Sequence, residues 1–435
     1  MVKELIKSIK ELEDLAAALA AETHSTSETI VSRYTKIVTE GASFISGKKT
    51  GDQTYQQVSV NKEWMAGRIY AREGFDDLFP HNLSEVSLAL DLRKERFQLP
   101  RKGLKLPQNQ GLYFMEVPSS IGLYDQELTE FTRTHPNTRI TREMSVEQKI
   151  IVNSQGGIAI QSIPSFAISY SHGYEPLPTF RVLTAVCSSE EDIKNFKNLI
   201  AFMPDPTLER RVKNATSFSE AFHQLYNLSG LKYGSLEEAG LPNTSLHDVV
   251  VLTGVPAHEV FGHHFEEPSN FLDFTEIATF KKDQEIRNKD IILVDSPNLT
   301  VAGLKLLGFT IVDAYGRKRE PRVHVRDGKC VGFLGGEYAD LENLQRYLNL
   351  GDIEDNLYVG NSSQHSDAHF PQPRMSCTIL DGKTEDLDLE GKLVIVPHSG
   401  HTRAQDKTYV LDAKECYVIK NGIPQRVNPI KVTGE

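Results

Sequence analysis

The stretch "EQKIIVNSQGGIAIQSIPSFAISYSHG", residues 147–173, constrains the fold most: β-branched residues run on either side of the turn "NSQGG". Such a pattern reads as paired strands in a meander rather than as a helix. The stretches "ETIVSRYTKIVTEGASFISG" and "YQQVSVNKEWMAGRIYA" alternate Val, Ile, Tyr and Thr with polar residues and predict further strands. Beyond residue 290, "GFTIVDAYG", "RVHVRDGKCVGFLGG", "KLVIVPHSG" and "TYVLDAKECYVIKNGIPQRV" predict a second strand-rich region, with Asp-Gly and Asn-Gly marking tight hairpins.

Helical patterns interrupt these strands. "MVKELIKSIKELEDLAAALAAE" has the apolar spacing of an amphipathic helix. Residues 188–203, "SSEEDIKNFKNLIAFM", predict a helix capped by Ser188 or Ser189, and "PTLERRVKNATSFSEAFHQLYNL" predicts another. Pro and Gly punctuate 94–112, which reads as an extended surface segment, a hinge or long loop. The fold class expected is α+β: an N-terminal α/β-type domain over 1–185, then a β-rich domain over 186–435 with an antiparallel sheet or barrel-like core. A length of 435 residues exceeds what one core usually supports.

The net charge of -11 opposes binding to phosphate backbones, and the basic run "GRKRE" is short, so no nucleic-acid partner is expected. No apolar run is long enough to span a membrane, and the first residues lack the apolar core of a signal peptide. Four scattered cysteines without a CxxC pair suggest reduced thiols and a cytoplasmic protein.

The chemistry concentrates in "PAHEVFGHHFEE", residues 256–267. Val249–Val251 read as a buried strand end, Gly254 supplies a turn, and Pro256 suits a first helical turn. His258 and His263 are five apart, which on an ideal helix separates them by about 140°. A π-bulge near Gly262, the weakest helix former here, would absorb the extra residue and let both imidazoles reach one metal ion. Glu259 would then act as general base, and Glu266 would orient a ligand. The plainer alternative is a polar helix in which Glu259 and His263, four apart, form a helical pair.

These residues resemble the TldD/PmbA group of zinc metallopeptidases, once described as modulators of DNA gyrase. Its catalytic member carries His-Glu-x-x-x-His followed by Gly-x-Glu; here "HEVFGH" is followed by "HFE", with His264 in place of the glycine. The likeness extends through "GFTIVDAYGRKREPRVHVRDGKCVGFLGGEYA", through "FPQPRMSCT", similar to the family's Pro-Arg-Met-Thr-Asn motif, and through "AKECYVIKNGIPQRV". It spans about 145–434, the first 140 residues matching only in general character.

The resemblance implies zinc held by His258 and His263, with Glu259 as catalytic base for peptide-bond hydrolysis. It also implies a peptide substrate and a homodimer, or a heterodimer with a TldD/PmbA paralogue. Arg374 would bind a substrate carbonyl or carboxylate, or form a structural ion pair. The family's third ligand, a cysteine beyond the late hairpin, has no match through "IKVTGE". His398 and His401 of "PHSGH", Cys377 and Cys416 are the candidates to replace it, although neither cysteine matches by motif and the plainer reading of the two histidines is as surface-loop residues. The alternative function is a non-catalytic peptide-binding or partner subunit of such a complex.

Overall fold

The computed structural model describes residues 10, 14, 28–51, 55–66, 69–76, 110–118, 121–153, 156–173, 179–201, 215–241, 248–251, 254–266, 283–286, 289–306, 311–314, 316–334, 357–358, 362–363, 372–382, 388–403 and 408–434. The helix expected at 1–22 lies outside these residues except Lys10 and Asp14, both helical, and the segments 94–109 and 206–214 lie outside them as well.

The alternating stretches form one large sheet. Its strands are β1 (Glu28–Ile45), β2 (Lys48–Thr50), β3 (Tyr55–Ala66), β4 (Ile69–Asp76), β5 (Gln110–Phe114), β6 (Thr138–Asn153), β7 (Ile158–His172) and β8 (Thr179–Val186). The antiparallel path runs β8-β7-β6-β1-β3-β4, and a hairpin of Thr300–Val301 and Leu304–Leu306 extends it beyond β8. β2 folds back on β1, and β5 lies parallel to β7. The turn after "IIVN" joins β6 and β7 in the expected meander.

Three helices cover one face of this sheet: α1 (Asp125–Thr134), α2 (Glu190–Ala201) and α3 (Phe218–Ser229). Phe44, Ile140, Met144, Phe166, Ile168 and Tyr170 from the sheet share a core with Phe131, Phe196, Phe218 and Phe222 from the helices. The starts of α2 and α3 follow from reciprocal caps. The Ser189 hydroxyl accepts from the Asp192 N–H at 3.1 Å while Asp192 takes the Ser189 N–H at 3.0 Å. Ser217 accepts from the Glu220 N–H at 3.0 Å, and Glu220 returns to the Thr216 N–H at 2.8 Å. Each cap contributes about 1 kcal/mol.

The second strand-rich region consists of small sheets. Ile292–Asp295 lies between Arg322–Arg326 and Thr378–Asp381. Leu393–Val396 lies between Glu415–Lys420 and Val249–Val251, the latter parallel to it. Ser399–Arg403, Thr408–Ala413 and Ile430–Gly434 form a third sheet. The predicted Asp-Gly and Asn-Gly hairpins are present, with positive φ at Asp327 (52°), Gly328 (70°), Asn421 (51°) and Gly422 (68°).

The class is α+β, with several antiparallel sheets. Of the two cores expected for the second region, antiparallel sheet or barrel-like, the structure has the antiparallel sheets: among the described residues they remain open, and no barrel closes. One correction concerns "GFTIVDAYG". Its described part, 311–314 and 316, is a loop rather than a strand: Val312 makes one isolated bridge with Lys318, and the Asp313 N–H donates to the Arg317 carbonyl at 2.8 Å. The loop docks on β7 through its backbone, the Gln161 side chain accepting both the Ile311 and Val312 N–H groups at 3.2 Å, while the Ile311 side chain packs against Ile163 and Val186.

Candidate metal centre

The strand Val249–Val251 leads toward Gly254, whose φ of +131° is open to glycine. Pro256 then stands in the first helical turn, its missing N–H needing no partner. The helix starts in α register, with the His258 N–H on the Gly254 carbonyl at 3.1 Å. Ala257–Gly262 widens into a π-turn: the His263 N–H donates to the His258 carbonyl, five residues back. Four α-helical residues, α4 (His263–Glu266), follow.

That turn places His258 and His263 side by side, with ring centroids 4.8 Å apart. One donor atom from each of His258, Glu259 and His263 lies within 4.8 Å of the others. Glu259 Oε2 lies 3.4 Å from His263 Nε2 without hydrogen-bonding to it, so the two are near neighbours four apart on the helix as well as members of the donor group. Burial first, then His258, Arg374 and His264, pushes the His263 imidazole down to about 4. At neutral pH it is therefore an uncharged imidazole with a lone pair available to a metal. His258 is the most open of the three, yet the protein around it, chiefly through burial, lowers its imidazole too.

Glu266 is almost completely enclosed, at 1% exposure. One of its oxygens accepts from Arg374 Nη1 at 2.6 Å, and the other lies 3.6 Å from His263 Nδ1. Arg374 therefore forms an ion pair in this structure. Behind it, Arg319 donates to the Arg374 carbonyl at 2.7 Å, and Asp295 accepts the Ser376 N–H at 2.5 Å and hydroxyl at 2.9 Å. Asp295 and Arg319 are both buried, and burial shifts the Asp295 carboxyl up and the Arg319 guanidinium down, each toward its neutral form.

Two close approaches fix the π-turn. A Cβ on Gly262 would sit 2.1 Å from Met375 Sδ, and a Cβ on Gly400 would sit 3.1 Å from Glu259 Cγ. The strand Ser399–Arg403 thus lies against the turn, and the Thr402 hydroxyl donates to the Glu259 carbonyl. With Gly400 and Thr402 on the side facing the turn, the period of two places His401 on the other side, where it is exposed.

His398 is exposed as well, its Nδ1 3.4 Å from the Lys414 N–H. Cys416 is buried with Sγ 3.6 Å from the Ala413 carbonyl, and burial pushes its thiol up to about 12. Cys377 is half-buried, its carbonyl accepting the Ser296 N–H at 3.0 Å. Among the described residues none of the four joins His258, Glu259 and His263.

The donor chemistry fits a borderline-soft divalent ion such as zinc: two neutral imidazoles, a carboxylate beside them, and a carboxylate behind the second imidazole. Glu259 Oε2 is buried without a hydrogen-bond partner among the described residues, an acceptor left over for something outside the chain. Sequence reasoning missed Met375, Thr402, Arg319 and Asp295. Met375 lies in the quoted "RMSC", but its contact with Gly262 crosses more of the chain than any periodic pattern reports.

The sequence matches no family model and no curated protein. Its fold is shared by solved structures. TldE from Thermococcus kodakarensis aligns with a TM-score of 0.60 at 14% identity, over 97% of this chain and 91% of that one. A candidate modulator of DNA gyrase from Thermotoga maritima aligns at 0.59 and 15%, over 98% and 92%. Another from Bacteroides thetaiotaomicron aligns at 0.56 and 12%, over 98% and 90%. The chain has the fold of TldE and of these modulator-type proteins, the group its motifs resemble.

Proposed function

We propose that this chain is a zinc-dependent metallopeptidase that hydrolyses peptide bonds in peptides or unfolded segments. The observation that carries the proposal is the donor group of His258, Glu259 and His263, brought to one side of the helix by a π-turn. His258 and His263 would hold the metal, and zinc bound there supplies Lewis acidity toward a peptide carbonyl and a more acidic water. Glu259, with a buried carboxylate oxygen left over, takes a proton from the attacking water and passes it to the leaving amine. Glu266, fixed by Arg374, faces Nδ1 of His263 and orients that ring. The outer edge of Ser399–Arg403 carries no paired strand among the described residues, and an extended peptide laid along it would pass the Glu259 side of the turn.

The protein would act in the cytoplasm, as a homodimer or beside a paralogue of the same fold. A non-catalytic peptide-binding or partner subunit is favoured by one observation: among the described residues no further histidine, cysteine or carboxylate joins the donor group. Zinc stoichiometry together with peptide cleavage separates the two. The metallopeptidase binds about one zinc per chain at micromolar concentration; Glu259→Gln keeps the zinc and loses cleavage, and His263→Ala loses both. A folded protein that binds no zinc at micromolar concentration contradicts catalysis.

A further inference from the structure

We propose that Met375 is a positioning residue for the donor group: its thioether fills the notch left by Gly262 and holds the π-turn in the register that brings His258 and His263 together. The inference rests on the metal-site reading for its consequence, although the register itself can be measured without metal.

The notch is specific. An ideal Cβ at 262 would stand 2.1 Å from Met375 Sδ, 3.0 Å from its Cε and 3.2 Å from Thr378 Oγ1. The Thr378 hydroxyl, itself beside the notch, donates to the same sulfur at 3.1 Å and holds the thioether there. The chain on either side of Met375 is also tied down. Arg374 is bound through its side chain to Glu266 at 2.6 Å and through its carbonyl to Arg319 at 2.7 Å, and Ser376 is clamped by buried Asp295.

A π-turn competes with the ordinary α register, in which the His263 N–H would donate to the Glu259 carbonyl instead. Thr402 occupies that carbonyl with its hydroxyl. One contact thus engages the competing acceptor, and the other fills the space that the wider turn opens. In α register His258 and His263 would diverge by about 140°, splitting the donor group without changing any of its members.

The test uses the full chain with Met375→Ala, Gly262→Ala and the double variant, thermal unfolding serving to show that each folds. Cobalt(II) alone is titrated and its visible spectrum recorded, and metal-free crystals show which carbonyl the His263 N–H meets. Met375→Ala is expected to lower cobalt affinity at least tenfold and move that N–H to the Glu259 carbonyl. Gly262→Ala is expected to lose affinity as well, and the double variant to recover part of it, the new methyl occupying the vacated space.

The inference is overturned if Met375→Ala binds cobalt as the parent does and keeps the five-residue hydrogen bond, or if the double variant is no better than Gly262→Ala. A parent protein that binds no cobalt would count against the metal site, and the metal-free crystals would then decide the register on their own.

Discussion

On the helix-covered face of the large sheet, Phe44, Phe166, Phe196, Phe218 and Phe222 are buried against one another, and the charged residue deepest in that layer, Arg142, meets carboxylates on two sides. It holds Asp125 through two bonds of 2.6 and 2.8 Å and Glu40 at 2.7 Å. Around the π-turn the buried set is different: Glu266, Asp295, Asp313, Arg319 and His324 all lie at 5% exposure or less. The first region is stabilised mainly by removing apolar surface from water, which is non-directional and tolerant of exchange. The second depends on directed polar contacts, and each lost partner leaves a charge or a donor stranded. A scaffold built the first way can hold a site built the second way, because the strain and desolvation of the site are offset elsewhere.

This contrast can be broken by substitution. Phe222→Ala, deep in the sheet layer at 1% exposure, should destabilise by about 3–5 kcal/mol in denaturant unfolding and leave the pH dependence unchanged. Arg374→Ala should cost about 3 kcal/mol, because Glu266 then keeps a buried carboxylate without its guanidinium. Adding Glu266→Gln to Arg374→Ala should recover part of that loss, whereas a second substitution of the Phe222→Ala kind should only add to it. Failure of the double variant to recover would mean that Arg374 stabilises through packing instead.

The pH dependence sharpens the same contrast. Burial holds the His324 imidazole at about 4, below its ordinary 6.5, while it stacks on Phe265 behind the donor helix. The unfolded chain therefore takes up this proton between about pH 6.5 and 4 and the folded chain does not. Stability from this group is complete above about pH 6.5, falls by about 3 kcal/mol as pH drops to 4, and levels below that. Unfolding midpoints measured across that range should slope in the parent and slope less in His324→Phe, the remainder coming chiefly from His263, which burial also holds at about 4. Ser217→Ala is the smallest of the set, at about 1 kcal/mol, since it removes only the cap of α3.

How much was legible in the sequence follows the same division. The strands β1, β3, β6 and β7, the cap at Ser189, and the Asp327–Gly328 and Asn421–Gly422 hairpins are local features, set by periodicity or by one or two residues, and they stand where expected, whereas the helix expected from Pro206 begins only at Phe218, behind the Ser217 cap. The π-turn was legible too, because five-residue spacing beside a glycine leaves few other ways to join His258 and His263. The loop at 311–314 has the β-branched pattern of a strand, but its backbone N–H groups are taken by the Gln161 side chain on a distant strand, a contact without local signature. Met375 against Gly262, Thr402 on Glu259, and Arg319 behind Arg374 share that character: each joins segments far apart in the chain. The alternatives open for Arg374 included a structural ion pair, and its contact with Glu266 is one.

The central claim is that a π-turn converts a five-residue histidine spacing into one metal site. A crystal of the full chain soaked with zinc tests it most directly. The account predicts one ion about 2.0–2.1 Å from a ring nitrogen of both His258 and His263, with the His263 N–H still on the His258 carbonyl. Zinc bound to only one of these imidazoles, or a turn that relaxes to α register around it, would contradict the account.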